Sequence, residues 1–440
     1  MMFKKKLVEV FGIGVGDSTP AYVDRGALDE KFRESLAASR HVSVHGGSKQ
    51  GKTWLRKRSL TSAESIVVQC TITSTAASVL EESLSQLGVR ASLSRTETGT
   101  LGGHIDLTAT ATGKVGLPLL AKAAAEVGLD MGMTGQREVE TQERILGETV
   151  ANLHWVAASI NASGKQLVLE DFHYLPEPEQ KVFASWMKAL GEYGCHVVII
   201  GVWAQSHLLT YFNGDLDGRV DDIHLKWEDD ELRSVLNKGA AALHIKLTEA
   251  LANAIITDSY GNVGLVHRLA RSLLKLEGVD NLPSGSVVDV SNNLTKARSE
   301  VAEEMSGRFD TFASSFVGGM RRMPEGLVVY LHLLRAITAS DDDSLIGQGI
   351  DSRALLSSIN NDGIRLSDLT QALERIDRLQ VKIEISPPVL TYHRAGKRVQ
   401  LVDRSFLFYR KYGAQPWPWD EGDEIQNDLA GSTPLDIFAD

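Results

Sequence analysis

Apolar and polar positions change period several times along the chain, and the changes mark its elements. His41-Val42-Ser43-Val44-His45 alternates, as a short strand does. Ser65-Ile66-Val67-Val68-Gln69-Cys70, Gln166-Leu167-Val168-Leu169 and His196-Val197-Val198-Ile199-Ile200 are apolar runs, as in parallel strands buried on both faces. Apolar residues recur at helical spacing before and between these runs. Leu28, Phe32 and Leu36 share one face; residues 75–87 end at Gly88; residues 138–160 end at Gly164; another helix opens at Pro176 and Pro178 and runs to about Leu190. Ile223-His224-Leu225-Lys226-Trp227 reads as the last strand of this series. Strands alternating with helices predict an α/β fold with a parallel sheet. Residues 91–135, rich in Gly, Thr and Ala with alternation at Ile105-Asp106-Leu107-Thr108, read as a hairpin or mobile insertion.

After Trp227 the pattern turns helical. Residues 229–239 and 248–260 are predicted helices, and Gly261-Asn262-Val263-Gly264 leads into another. A charged helix over 296–316 follows, then an apolar helix over 327–337, a solvated acidic turn at Asp341-Asp342-Asp343, and helices over 353–359 and 365–379. Short strands are predicted at 382–385 and 389–393. A basic turn at Ala395-Gly396-Lys397-Arg398 precedes a returning strand at Val399-Gln400-Leu401-Val402. Three helices and a β-hairpin make a winged helix-turn-helix.

The loop after the first strand carries the chemistry. Gly46-Gly47-Ser48-Lys49-Gln50-Gly51-Lys52-Thr53-Trp54 fits the phosphate-binding spacing, with Gly46, Gly51, Lys52 and Thr53 in the fixed places. Such a loop turns its backbone N–H groups around a phosphate, which glycines permit. The next helix adds its positive end. Lys52 supplies charge to the β- and γ-phosphates of ATP, and Thr53 a hydroxyl to Mg²⁺. The strand ending Leu167-Val168-Leu169-Glu170-Asp171 brings two carboxylates where a second phosphate-binding strand should. Glu170 is placed toward the metal through water, and Asp171 as the base that orients the attacking water. Arg219, before the last strand, is a candidate arginine finger to a neighbouring subunit's nucleotide, or forms an ion pair with Asp215 or Asp217. Tyr22 and Val23 are candidates to pack on the adenine, or form a surface turn. His267 and Arg268 either approach the phosphates or pack the lid.

Composition adds limits. Across 440 residues the hydrophobic share is 43% and the charged share 23%, ordinary for a folded chain of two or three domains. A net charge of −11 argues against polyanion binding by the whole surface. Local basic residues remain. Arg365, Arg375, Arg378, Lys397 and Arg398 in the predicted recognition helix and wing are candidates for double-stranded DNA phosphates, although winged helices also bind proteins. Cys70 and Cys195 fall in apolar runs and read as buried thiols. The basic N-terminus has no apolar core behind it, and no window of about eighteen uncharged apolar residues occurs, so a cytoplasmic protein with no membrane segment is expected. After Tyr412 the tail carries only acidic charges.

With loop, acids, lid and winged helix together, the chain resembles the AAA+/STAND P-loop ATPases. It is most like the initiator-type clade with a C-terminal winged helix, near bacterial ATPases of mobile and defence loci. The resemblance spans about residues 20–410 and is most specific at Gly46–Thr53 and Leu167–His173. It implies a P-loop NTPase core over 1–228 with the insertion 91–135, a helical lid over 229–295, a linker helix plus winged helix over 296–412, and an acidic tail over 413–440. It further implies ATP–Mg²⁺ binding at a subunit interface, slow hydrolysis, assembly as a homo-oligomer, and a DNA or protein effector as partner. Two positions depart from the pattern. The acids stand in the order Glu170-Asp171 rather than the reverse, and Gly264 occupies the place of a lid arginine.

Overall fold

The structure is a computed structural model that describes residues 4–12, 19–95, 105–111, 119, 122–123, 125–126, 152–204, 206–318, 329–359, 361, 363–385, 387–394, 396–413 and 416–418. The chain forms two compact units. One comprises Arg25–His45 and Lys52–Leu225, the other Met1–Asp24, Gly46–Gly51 and Lys226–Asp440.

The first unit holds strands β1 (His41–His45) and β2 (Ser65–Gln69), a hairpin of β3 (Val89–Arg95) and β4 (Ile105–Ala111), then β5 (Gln166–Glu170), β6 (Val197–Ile200) and β7 (Val220–His224). Five of these form one parallel sheet in the order β2-β5-β6-β1-β7. Numbered among themselves, the sheet strands run 2-3-4-1-5, the P-loop order. The apolar runs put side chains on both faces. Val42, Val44, Val168, Val198 and Ile200 pack with Phe32 and Leu55 on one side. Ile66, Val68, Leu167, Leu169, Val197 and Ile199 pack with Leu80, Trp155 and Phe183 on the other. The predicted last strand begins and ends earlier than expected, at Val220 and His224, with Val220 facing His41 across the ladder. The hairpin in the insertion pairs Val89 with Ala111 and Arg95 with Ile105. Most of the remaining insertion, residues 138–151 of the predicted helix, and the tail from 419 onward lie outside the described residues.

The second unit is mostly helical. Helices Asp229–Ala242, Glu249–Ser259 and Val263–Leu276 are followed by one long helix, Asn292–Gly318. Asn262 caps the third of these, its Oδ1 accepting the Leu265 N–H at 3.3 Å. Two short parallel strands, β8 (Lys246–Leu247) and β9 (Val287–Val288), pair within this region. The C-terminal part is the expected winged helix: helix Val329–Ala339, β10 (Ile350–Asp351), helices Ser352–Ser358 and Leu366–Lys382, then β11 (Leu390–His393) and β12 (Arg398–Leu401), in sheet order β10-β12-β11. Phe309 of the long helix is fully buried against Phe406 and Tyr409, with ring centroids 5.5 and 5.2 Å away.

Two local expectations change. Residues 382–385 are no strand. The helix continues to Lys382 because Gln380 is buried on its inner face, where its side chain receives the Val389 N–H at 2.7 Å; Glu384 then turns left-handed at φ 59°. Residues 341–343, expected as a solvated acidic turn, open a helix instead: exposed Asp341 caps it, accepting the Ser344 N–H at 2.8 Å to start helix Asp342–Ile346. Two helices precede β1 in the chain: α1 (Leu7–Phe11), whose Leu7, Val10 and Phe11 are buried, and α2 (Ala27–Ala37). β10, two residues long, is too short to show a period. Among the described residues, no helix is long and apolar enough to cross a membrane.

His41 opens β1 with its ring buried, its Nδ1 accepting the Val197 N–H at 3.0 Å. Burial, then the neighbouring His196, pushes its pKa down to about 4. The native state therefore holds His41 neutral while the unfolded chain takes a proton near pH 6.5. Its contribution is present above about pH 6.5 and is lost as pH falls toward 4, on the order of 3 kcal/mol. Urea midpoints at pH 7 and pH 4.5 should differ for the wild type by more than for His41→Asn, which keeps an acceptor but cannot titrate. Equal differences would show that His41 does not carry the effect.

Candidate functional site

The glycine-rich loop Gly46–Gly51 belongs to the second unit and is gripped there by three successive carbonyls. The Ser48 carbonyl accepts from Asn262 Nδ2 at 3.3 Å, the Lys49 carbonyl from the Gly264 N–H at 3.2 Å, and the Gln50 carbonyl from Trp227 Nε1 at 2.9 Å. The Gln50 side chain returns a bond to the Gly261 carbonyl at 3.2 Å. In a trans peptide the carbonyl of one residue and the N–H of the next point in opposite directions. Holding these three carbonyls therefore turns the N–H groups of Lys49, Gln50 and Gly51 the other way, the posture of an anion nest. The backbone that allows this has φ of 140° at Gly46, 58° at Lys49 and 84° at Gly51. The Lys49 side chain reaches solvent, yet desolvation of its ammonium pushes its pKa down to about 8, with Arg268 adding to the shift and Asp403 opposing it. Asp403 is fully buried, which alone would raise its pKa, but Arg308 and Ser405 hold it below the ordinary carboxylate value.

The second set of groups lies within the first unit. Helix α3 (Lys52–Ser59) presents Lys52, Thr53 and Arg56, and β5 ends at Glu170. Lys52, Arg56 and Glu170 are buried. Glu170 Oε1 takes two bonds from Arg56, from Nε at 3.0 Å and Nη2 at 2.9 Å. Thr53 Oγ1 stands 3.4 Å from Glu170 Oε2. Asp171 is left-handed at φ 55°, and its Oδ2 accepts from Gln69 at the end of β2. Burial raises the Asp171 pKa and Glu170 adds to this, while Lys52 and Gln69 oppose it. His173 is held neutral, its pKa pushed down to about 3 by burial and then by Lys52. Its Nδ1 accepts the Val202 N–H at 3.2 Å. The Thr53 hydroxyl and Glu170 Oε2 are hard oxygen donors. They suit Mg²⁺, which keeps several waters and takes phosphate oxygens, rather than a metal caged by protein alone. Among the described residues no cluster of three or more His, Cys, Asp or Glu is set to hold a metal unaided.

No family model matches the chain, and no curated protein matches it. Solved structures do resemble it. The Orc1 protein of Aeropyrum pernix in complex with DNA is 13% identical, covering 94% of this chain and 97% of that one at a TM-score of 0.41. The Walker-type ATPase of Pyrococcus abyssi is 12% identical, covering 89% and 96% at 0.48. The RuvB Holliday junction branch migration motor of Thermotoga maritima is 12% identical, covering 93% and 100% at 0.37. Each likeness is one of fold. The sheet order and the loop after β1 are those of a P-loop core.

The other sequence candidates fall elsewhere. Among the described residues, Arg219 forms no close ion pair with Asp215 or Asp217, although its charge, after the Lys188 bond, helps hold the Asp215 carboxyl below its usual range. Its Nη1 meets Glu192 Oε1 at 2.7 Å, while Asp215 is taken by Lys188 at 2.9 Å. Arg219 precedes Val220, which faces His41, so it sits at the N-terminal edge of the sheet. Glu170 ends β5 at the opposite edge, about 13 Å further along the strands and about 14 Å across three strand spacings. Trp54 is half-buried, with Lys57 Nζ 5.9 Å from its ring. Val23 is buried in the helical core with Trp227, and Tyr22 is half-buried. His267 is buried with its ring edge-on to Phe11 at 5.5 Å, and burial pushes its pKa down to about 4. Arg365, Arg375, Arg378 and Lys397 are exposed on the winged helix; Arg398 is half-buried and donates to the Gly349 carbonyl at 2.8 Å. A shallow groove of about 380 Å³ there is lined by Arg353, Leu366, Thr370 and Lys397 but also by Asp351.

Four residues of these two sets escaped the sequence reading. Arg56 could have been found, since it lies three residues after Thr53 and so on the same helix face. Gln69 ends an apolar strand, which is a weak sign. Asn262 and Trp227 act on the loop from more than 170 residues away in sequence, and nothing local signals that. The structure also accounts for Gly264. A Cβ there would lie 2.7 Å from Lys49 Cβ and 3.1 Å from Asn262 Oδ1. Ala normally stabilises a helix relative to Gly by about 1 kcal/mol. Gly264→Ala should instead lower the melting temperature measured by circular dichroism, and a rise would show that the loop tolerates the extra methyl.

Proposed function

We propose that this chain is an ATP-binding, slowly ATP-hydrolysing molecular switch of AAA+ type that works as a homo-oligomer. The observation that carries the reading is the clasp on three successive loop carbonyls, because it aims consecutive amides for a phosphate. In this reading Gly46, Gly47, Ser48, Lys49, Gln50 and Gly51 wrap the phosphates, and Lys52 neutralises the β- and γ-oxygens. Thr53 and Glu170 face Mg²⁺, which when bound offsets phosphate charge. Asp171 accepts the proton of the attacking water, and Gln69 holds the carboxylate until then. Tyr22, Val23 and Trp54 flank the nucleotide. Arg219 is at the wrong sheet edge to serve its own acids, which supports a role toward the nucleotide of another copy. Its pair with Glu192 is half exposed and so weak enough to exchange. The winged helix engages double-stranded DNA or a protein effector, with Arg365, Arg375, Arg378, Lys397 and Arg398 as phosphate contacts. A cytoplasmic setting fits the free, buried Cys70 and Cys195.

A second reading is a nucleotide-binding scaffold with little turnover, favoured by the hold of Gln69 on Asp171 and of Glu192 on Arg219. Phosphate release from MgATP separates the two. The switch reading expects measurable turnover in the wild type, a loss of at least about a hundredfold in Lys52→Ala and Asp171→Asn, and partial recovery when Arg219→Ala is mixed with Lys52→Ala. Tight ATP binding with no phosphate release over hours would favour the scaffold, and equal rates in all variants would remove both catalytic assignments.

A further inference from the structure

We infer that Arg56 is a positioning residue for the metal-facing acid, and that it sets how strongly Mg²⁺ is coupled to nucleotide binding. The inference rests on the reading of the Gly46–Thr53 loop as an ATP site.

An arginine and a carboxylate usually meet fork to fork, two N–H groups on two oxygens. Here both donors, Nε and Nη2, converge on Oε1 of Glu170 at 3.0 and 2.9 Å. Oε2 is left out of the pair and stands 3.4 Å from Thr53 Oγ1. One oxygen is spent on Arg56 and one is aimed at the hydroxyl that the loop motif assigns to Mg²⁺. The geometry cannot drift far, because Arg56 and Glu170 are each about nine-tenths buried. Arg56 lies three residues beyond Thr53 on α3, so donor and hydroxyl share one helix face. A lysine could supply the charge but not two donors in one plane.

Charge points the same way. Glu170 and Asp171 bring two negative charges, and Lys52 and Arg56 bring two positive ones. The set therefore offers a divalent cation no net attraction until triphosphate oxygens arrive. Arg56 both orients the second Glu170 oxygen and keeps Mg²⁺ from binding in advance of the nucleotide. Groups that hold a metal-facing carboxylate in place typically change metal affinity by about 10- to 100-fold when lost.

The test compares ATP affinity in Mg²⁺ with ATP affinity in EDTA, read by calorimetry or by a fluorescent ATP analogue. The wild type should bind more tightly with Mg²⁺. In Arg56→Lys that ratio should fall about tenfold or more, with affinity in EDTA nearly unchanged. A residue that merely braced the fold would lower the melting temperature and leave the ratio alone. Arg56→Gln, which keeps a donor and loses the charge, should show the same fall and serves if the lysine variant does not fold. An unchanged ratio in either folded variant, or a wild type whose ATP affinity ignores Mg²⁺, overturns the inference while leaving the ATP site standing. A wild type that binds no ATP in either condition overturns the site reading and this inference with it.

Discussion

The posture of the glycine-rich loop depends on where its carbonyls go. Backbone polar groups must find partners, and a loop of six residues has few of its own to offer. Asn262, Gly264 and Trp227 take the carbonyls of Ser48, Lys49 and Gln50 in sequence. Each of those partners is constrained in turn. Asn262 is fully buried and caps a helix, Trp227 is buried in the apolar core of its unit, and Gly264 is limited to glycine by the approach of Lys49. The direction of the loop's N–H groups is thus set by packing behind it rather than by the glycines alone.

The acids show a parallel economy. A buried carboxylate at a strand end costs free energy unless it is paired. Glu170 meets that cost with Arg56 and still keeps one oxygen toward Thr53. Asp171 is less well served, with a raised pKa and one side-chain partner, Gln69. In general, a carboxylate disfavoured as an anion by burial accepts a proton more readily than one locked in an ion pair. In the proposed reading, this contrast gives the two neighbours different work.

Much of this was legible in the sequence because the period of the apolar residues is set by elements that must bury themselves. Runs such as Val197-Val198-Ile199-Ile200 admit one environment, and the sheet has them buried on both faces. The loop spacing fixed Lys52 and Thr53 on the first turn of a helix. What escaped depends on distance in sequence. The clasp on the loop joins residues far apart, and a two-residue strand such as β10 has no period to read. The partner of Arg219 was missed because several acids lay near it in sequence, while Glu192 is brought close only by the fold.

Hydrogen exchange of the loop amides reads out where they point. If the clasp aims the N–H groups of Lys49, Gln50 and Gly51 at a phosphate, adding MgATP should slow exchange across residues 46–53. The effect should be small or absent in Lys52→Ala. Exchange over that stretch that is the same with and without saturating MgATP would show that these amides do not face a phosphate.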